Sequence, residues 1–128
     1  MMIKEDNIEW EYDFDGDSMF INDINDYKYK ESIEITDDII LDINENNDVV
    51  ALEVLDAFKI FGIEKKIIRH LVRIEINIMS NEENISIKAA FTFMIHQRST
   101  PKELNEQIVN DINLPIHDTH LVSAVTAK

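Results

Sequence analysis

Between Ile85 and Ile95 every second residue is apolar: Ile85, Ile87, Ala89, Phe91, Phe93 and Ile95. The alternate positions hold Ser86, Lys88, Ala90, Thr92, Met94 and His96. Successive side chains of an extended chain point to opposite faces, so this pattern predicts a long strand with one face in a core. Just upstream, Val72, Ile74, Ile76 and Ile78 alternate with Arg73, Glu75, Asn77 and Met79, and SNEEN at 80–84 supplies a polar turn. The two segments read as a hairpin.

The same period of two marks the first half. In IEWEYD at 8–13, Ile8, Trp10 and Tyr12 share one face and Glu9, Glu11 and Asp13 the other. SMFIND at 18–23 pairs with it, and the Asp-Gly inside YDFDGDSMFIND is a strong hairpin signal. A calcium loop starting at Asp13 fails twice: glycine falls at position 4 rather than 6, and Ile24 stands where the bidentate glutamate belongs. After a connection at 24–30, strands are expected at 31–36, 39–44 and 49–55, with ENND at 45–48 as a turn. This is an antiparallel meander with one apolar face and one acidic face. The chain contains 22 isoleucines and 12 asparagines. Isoleucine suits strands; the asparagine content fits A/T-biased codon usage and is not read as chemistry.

Residues 58–71 change period. Ile60, Ile63, Ile67 and Leu71 follow helical spacing, with Gly62 weakening the first turn and Lys65, Lys66 and Arg69 off the stripe. Further on, Leu104, Ile108 and Ile112 also have helical spacing, although 107–109 would equally continue a sheet. Asn113 to Pro115 breaks the chain, and Asp118 or Thr119 is placed to cap a last short helix, HLVSAVTA. The expected fold is α+β, mainly an antiparallel β meander with one or two packed helices. One domain is expected over 1–128: an acidic meander at 8–58, then a helix, a long hairpin and a C-terminal segment over 59–128. The meander is expected to pack its apolar face on the helix at about 60–71 and on the second hairpin.

Charge divides the chain. Residues 1–57 hold 18 Asp and Glu against 3 Lys, a balance of −15; residues 58–128 hold 8 against 9 Lys and Arg, or +1, and the two sum to −14. An acidic surface repels phosphate backbones, which argues against direct nucleic-acid binding, and attracts basic proteins. There is no cysteine, which excludes disulfides and thiolate chemistry. No apolar run is long enough to span a membrane and MMIKEDNIEW has no signal-like apolar region, so a cytoplasmic protein is expected.

Tyr12-Asp13-x-x-x-Asp17-x-Met19-Phe20-Ile21 resembles the opening motif of a widespread bacterial and archaeal domain-of-unknown-function family. DDIILDINENNDVVALEVLDA at 37–57 resembles the same family's strand–turn–strand signature. The resemblance covers about residues 8–58. It implies a small β-rich domain, supplies no catalytic residues, and carries an antitoxin-like role as an expectation.

Candidate chemistry is sparse. Asp37 and Asp38, adjacent, are expected in a turn rather than as a proton-sharing pair. Glu53, between apolar neighbours, would be an acid–base candidate if buried and a solvent-face residue otherwise. No Gly-x-Ser-x-Gly turn or glycine-rich phosphate loop exists among 2 glycines. His117 and His120 in HDTH have i, i+3 spacing that would place both on one helical face, with Asp118 as an oxygen ligand, for a metal-dependent hydrolase. No catalytic residue and no cofactor is expected. The leading expectation is an acidic protein-interaction module, antitoxin-like, that inhibits a basic protein. Asp13, Asp15, Asp17, Asp37, Asp38, Lys65, Lys66 and Arg69 are its candidate partner-binding residues. A structural homo-oligomer paired through strand edges is the alternative.

Overall fold

The computed structural model describes residues 7–114 and 117–124, and of residues 117, 123 and 124 the backbone alone. The first half forms β1 (Ile8–Asp13), β2 (Ser18–Asp23), β3 (Tyr29–Thr36), β4 (Ile39–Asn44) and β5 (Val49–Val54). Two short helices follow, α1 (Ala57–Phe61) and α2 (Lys65–Ile68). The second half forms β6 (Leu71–Ser80), β7 (Asn84–Ile95), β8 (Arg98–Val109) and β9 (His117–Ala124). The molecule is mainly antiparallel β with two short helices.

The strands make two sheets, in the orders β1-β2-β5-β4-β3 and β8-β7-β6-β9. The apolar faces read from the alternation meet in one continuous core. Met19, Ile21, Leu41, Leu52 and Val54 of the first sheet join Ile74, Ile76, Phe91, Phe93 and Leu104 of the second in the same buried cluster. Phe61 at the end of α1 closes one side, its ring 4.8 Å from Phe91 and 5.2 Å from Phe93. Such aromatic contacts add to plain area burial.

The helix expected over 60–71 is two helices of five and four residues. Gly62 is the reason. It sits at φ 67, a left-handed cap that ends α1 by donating its N–H to Phe58 O at 2.9 Å. Among the described residues the helices expected from Leu104, Ile108 and Ile112 and from HLVSAVTA are not formed; residues 125–127 of the latter lie outside the described residues. The first lies mostly in β8, which pairs with β7 from Arg98 to Val109. The second is β9, which pairs with β6 over Arg73–Ser80. In both, ladder pairing to a central strand overrides local helical spacing.

The hairpin at the start of the chain is real, but its turn is not a two-residue Asp-Gly turn. Asp13 pairs with Ser18 and leaves a four-residue loop, Phe14 to Asp17. The left-handed residue is Asp17, at φ 54. A Cβ at Gly16 would stand 2.5 Å from Asp13 Oδ2, so a larger residue there would require the exposed Asp13 side chain to turn away.

Asn7 joins the sheets at one corner. Its N–H donates to Val122 O at 3.0 Å, its Oδ1 accepts from Val122 N–H at 2.9 Å, and its Nδ2 donates to His120 O at 3.1 Å. No helix among the described residues is long and apolar enough to cross a membrane.

Candidate protein-interaction face

The outward face of the first sheet follows from strand parity and register. Phe20 pairs with Glu11 on one side and Glu53 on the other, and Ile40 pairs with Glu53 and Glu34. One row across five strands therefore reads Glu11, Phe20, Glu53, Ile40, Glu34. The next row reads Glu9, Asn22, Ala51, Asp42, Ser32. With Asp13 at the end of β1, six carboxylates lie on this face: Glu9, Glu11, Asp13, Glu34, Asp42 and Glu53. Among the described residues none of them is in an ion pair. Two accept hydrogen bonds from the sheet itself, Asp42 from Ser32 Oγ at 2.6 Å and Glu9 from Asn22 Nδ2 at 3.4 Å. Glu53 is half-buried between Phe20 and Ile40 on this outer face, not in the core.

The negative field reaches the tyrosines. The Tyr27 hydroxyl is pushed up by burial and then by Asp42, Asp23 and Glu9. It lines a cleft of about 370 Å³ beside this face, with Asp23, Asp26, Asp118 and His120.

The predicted partner-binding residues fall in three places. Asp17 is occupied inside the molecule. Both its carboxylate oxygens lie 3.1 Å from the Phe58 N–H, its carbonyl accepts the Ala57 N–H at 3.0 Å, and Tyr12 Oη donates to Oδ1 at 2.5 Å. Asp13 and Asp15 remain exposed at the same loop. Asp38 is half-buried in the β3–β4 turn, 4.0 Å from Lys59 Nζ, while Asp37 beside it is exposed. Lys65 and Arg69 approach the hairpin tip through Phe14, not through its carboxylates. The Phe14 ring lies 5.6 Å from Lys65 Nζ and 5.1 Å from Arg69 Cζ, and Lys65 Nζ donates to Phe14 O at 3.3 Å. Lys66 meets Glu64 at 3.4 Å on the surface. The structure thus brings the hairpin tip to the basic cluster and leaves Asp37 and Asp38 apart.

Glu9, Glu11, Glu34 and Asp42 were not singled out from sequence. Their strand parity was visible; their position as neighbours depends on β2 pairing with β5. His117 and His120 lie on β9 and not on a helix, so the shared helical face expected for them is not formed; the side chain of His117 lies outside the described residues. Among the described residues no three His, Asp or Glu side chains converge as metal ligands.

A profile of the family described as "Protein of unknown function (DUF2283)" matches residues 10–57. A protein of Methanosarcina mazei named "Putative hypoxanthine phosphoribosyltransferase" is 37% identical over 108 residues, covering 84% of this chain and 86% of that protein. Residues 10–57 belong to the DUF2283 family. An uncharacterised protein of Methanocaldococcus jannaschii is 26% identical over 108 residues, covering 84% of this chain and 91% of its own length. No solved structure matches. The DUF2283 segment ends at Ala57, whose N–H bonds Asp17 O, so its last residue meets the turn of its first hairpin. Both relatives align over more residues than that segment holds, so they share part of the second half as well.

Proposed function

We propose that this protein is an acidic protein-binding module whose outer sheet face receives a basic partner. One observation carries the reading: the row Glu11, Phe20, Glu53, Ile40, Glu34 alternates carboxylates with apolar side chains, with no cation paired to it among the described residues. The carboxylates would steer a basic surface, and Phe20 and Ile40 would supply area to desolvate once it docks. The module acts in the cytoplasm in an antitoxin-like manner, by covering the basic surface with which its partner works. The substrates in the name of the Methanosarcina relative are not favoured at this face, where carboxylates would repel phosphates.

The test is a pull-down from nuclease-treated native extract at low salt, comparing the parent chain with a Glu11→Gln/Glu34→Gln/Glu53→Gln variant. A basic protein held by the parent, released by salt and not held by the variant is the expected result. Equal capture by both forms would end the electrostatic reading.

A further inference from the structure

We propose that the groove between α2 and the β7–β8 turn binds a small organic phosphate. The groove is about 540 Å³ and is lined by Lys66, Ile67, Arg69, His70, Met94, Ile95 and His96. That volume is within the usual range for small-molecule sites. Among the described residues no Asp or Glu lines this groove, although the chain has 26. It is the converse of the 370 Å³ cleft, which is walled by aspartates.

Its donors are available. Arg69 rests on the Phe14 ring, and among the described residues its guanidinium has no hydrogen-bond acceptor and no ion pair. An arginine held on an aromatic face keeps its planar fork of N–H groups ready for an oxyanion. Lys66 has an exposed bridge to Glu64, with both side chains mostly in solvent, which is readily exchanged for a dianion. His70 and His96 add two imidazoles, one from the exit of α2 and one from the β7–β8 turn. Ile67, Met94 and Ile95 give the groove an apolar part, which suits a phosphate carried on an apolar or aromatic body better than a bare ion.

The position is fixed by the fold. Met94 N–H donates to His70 O at 2.9 Å, which ties the end of β7 to the exit of α2. Ile95 pairs with Arg98, so His96 and Gln97 form a two-residue turn, with φ 50 and 64. Such a turn favours Asn-Gly. Here it holds His96 at the groove wall.

The experiment is an amide NMR titration of the whole chain at low salt with phenyl phosphate, inorganic phosphate and phenol. Phenyl phosphate is expected to give saturable shifts confined to 66–70 and 94–98, with higher affinity than inorganic phosphate and no saturable shift from phenol. Lys66→Gln/Arg69→Gln should lose about tenfold or more in affinity while keeping the parent spectrum elsewhere. Phe14→Ala, which removes the ring and not the charge, should keep saturable binding. Phenyl phosphate shifts that are diffuse or unsaturable, or an affinity unchanged in the double variant, would overturn the proposal. The result does not depend on the acidic face, which lies on the other sheet.

Discussion

Asp17 caps a helix that begins at Ala57. Its two carboxylate oxygens share the Phe58 N–H at 3.1 Å, across 41 residues of chain. Asp56, at the N-cap position itself, makes no side-chain cap bond and is left-handed at φ 50. The first hairpin therefore supplies by tertiary contact what a helix start usually takes from its own sequence. Asp17→Ala should lower unfolding free energy by about 1–2 kcal/mol, and Asp17→Asn by less. Urea denaturation monitored by the single tryptophan, Trp10, measures both.

Tyr12 gives the same contact a pH signature. Burial first, then the hydrogen bond to Asp17, raises its hydroxyl well above the ordinary 10.0. Above that pH the unfolded chain releases this proton while the folded protein keeps it. Stability from this group is thus fully present below pH 10.0 and is lost as pH rises beyond it. Urea midpoints taken upward from neutral pH should fall there in the parent, and fall less in Asp17→Ala.

Asn110 is a buried polar residue that serves three backbone groups. Its Nδ2 donates to Asn81 O at 2.7 Å and Leu114 O at 2.8 Å, and its Oδ1 accepts from Leu114 N–H at 3.0 Å. Asn110→Ala should destabilise by about 2–3 kcal/mol, because those groups stay buried without partners. Asn110→Asp should lose as much, since it keeps the acceptor and removes the donor. Thermal unfolding of the two variants provides the comparison.

The His96–Gln97 turn places two large residues where the backbone is left-handed. Replacing them with Asn-Gly should stabilise the fold by about 1 kcal/mol or more. The same variant should weaken phenyl phosphate binding, since His96 leaves the groove. A midpoint that does not rise would show that the turn is not strained.

The edge strand β8 carries its own guard against pairing. Lys102 is opposite Phe91 and Glu106 opposite Ile87, so both charges share the core-facing side of an otherwise open edge. Inward charges and a proline, here Pro101, discourage a second chain from adding to the ladder. Lys102→Val/Glu106→Val should associate at concentrations where the parent does not, as read by light scattering.

That guard also explains why β8 looked helical. The inner face of β8 reads Thr100, Lys102, Leu104, Glu106, Ile108, so its apolar residues stand four apart instead of two. Strands without such charges, such as β4 and β7, were legible from alternation alone. The face carrying Glu11, Glu53 and Glu34 was half legible: parity is local, but adjacency comes from a β2–β5 pairing that no neighbouring residues announce. The asparagines were misread as composition. Asn44 accepts the N–H groups of Asn46 and Asp48 at 2.9 Å, and Asn81 those of Glu83 and Asn84 at 2.8 and 2.7 Å. With Asn7 and Asn110 they satisfy the backbone at turns and at the free strand edge, work that a chain with 2 glycines and 2 prolines has few other residues to do.

The bond from Asn7 to Val122 links residues near opposite ends of the described chain, and it bears on how the protein is made. Synthesis runs from the amino end, so β1 to β5 can be laid down before any of β6 to β9 exists. Until then Met19, Ile21, Leu41 and Leu52 have no opposite layer, and the nascent first sheet is a slab with one bare greasy side. Only when β9 reaches β6 can Asn7 fasten the corner, so the residue just before the first strand gets its last partners from the final strand.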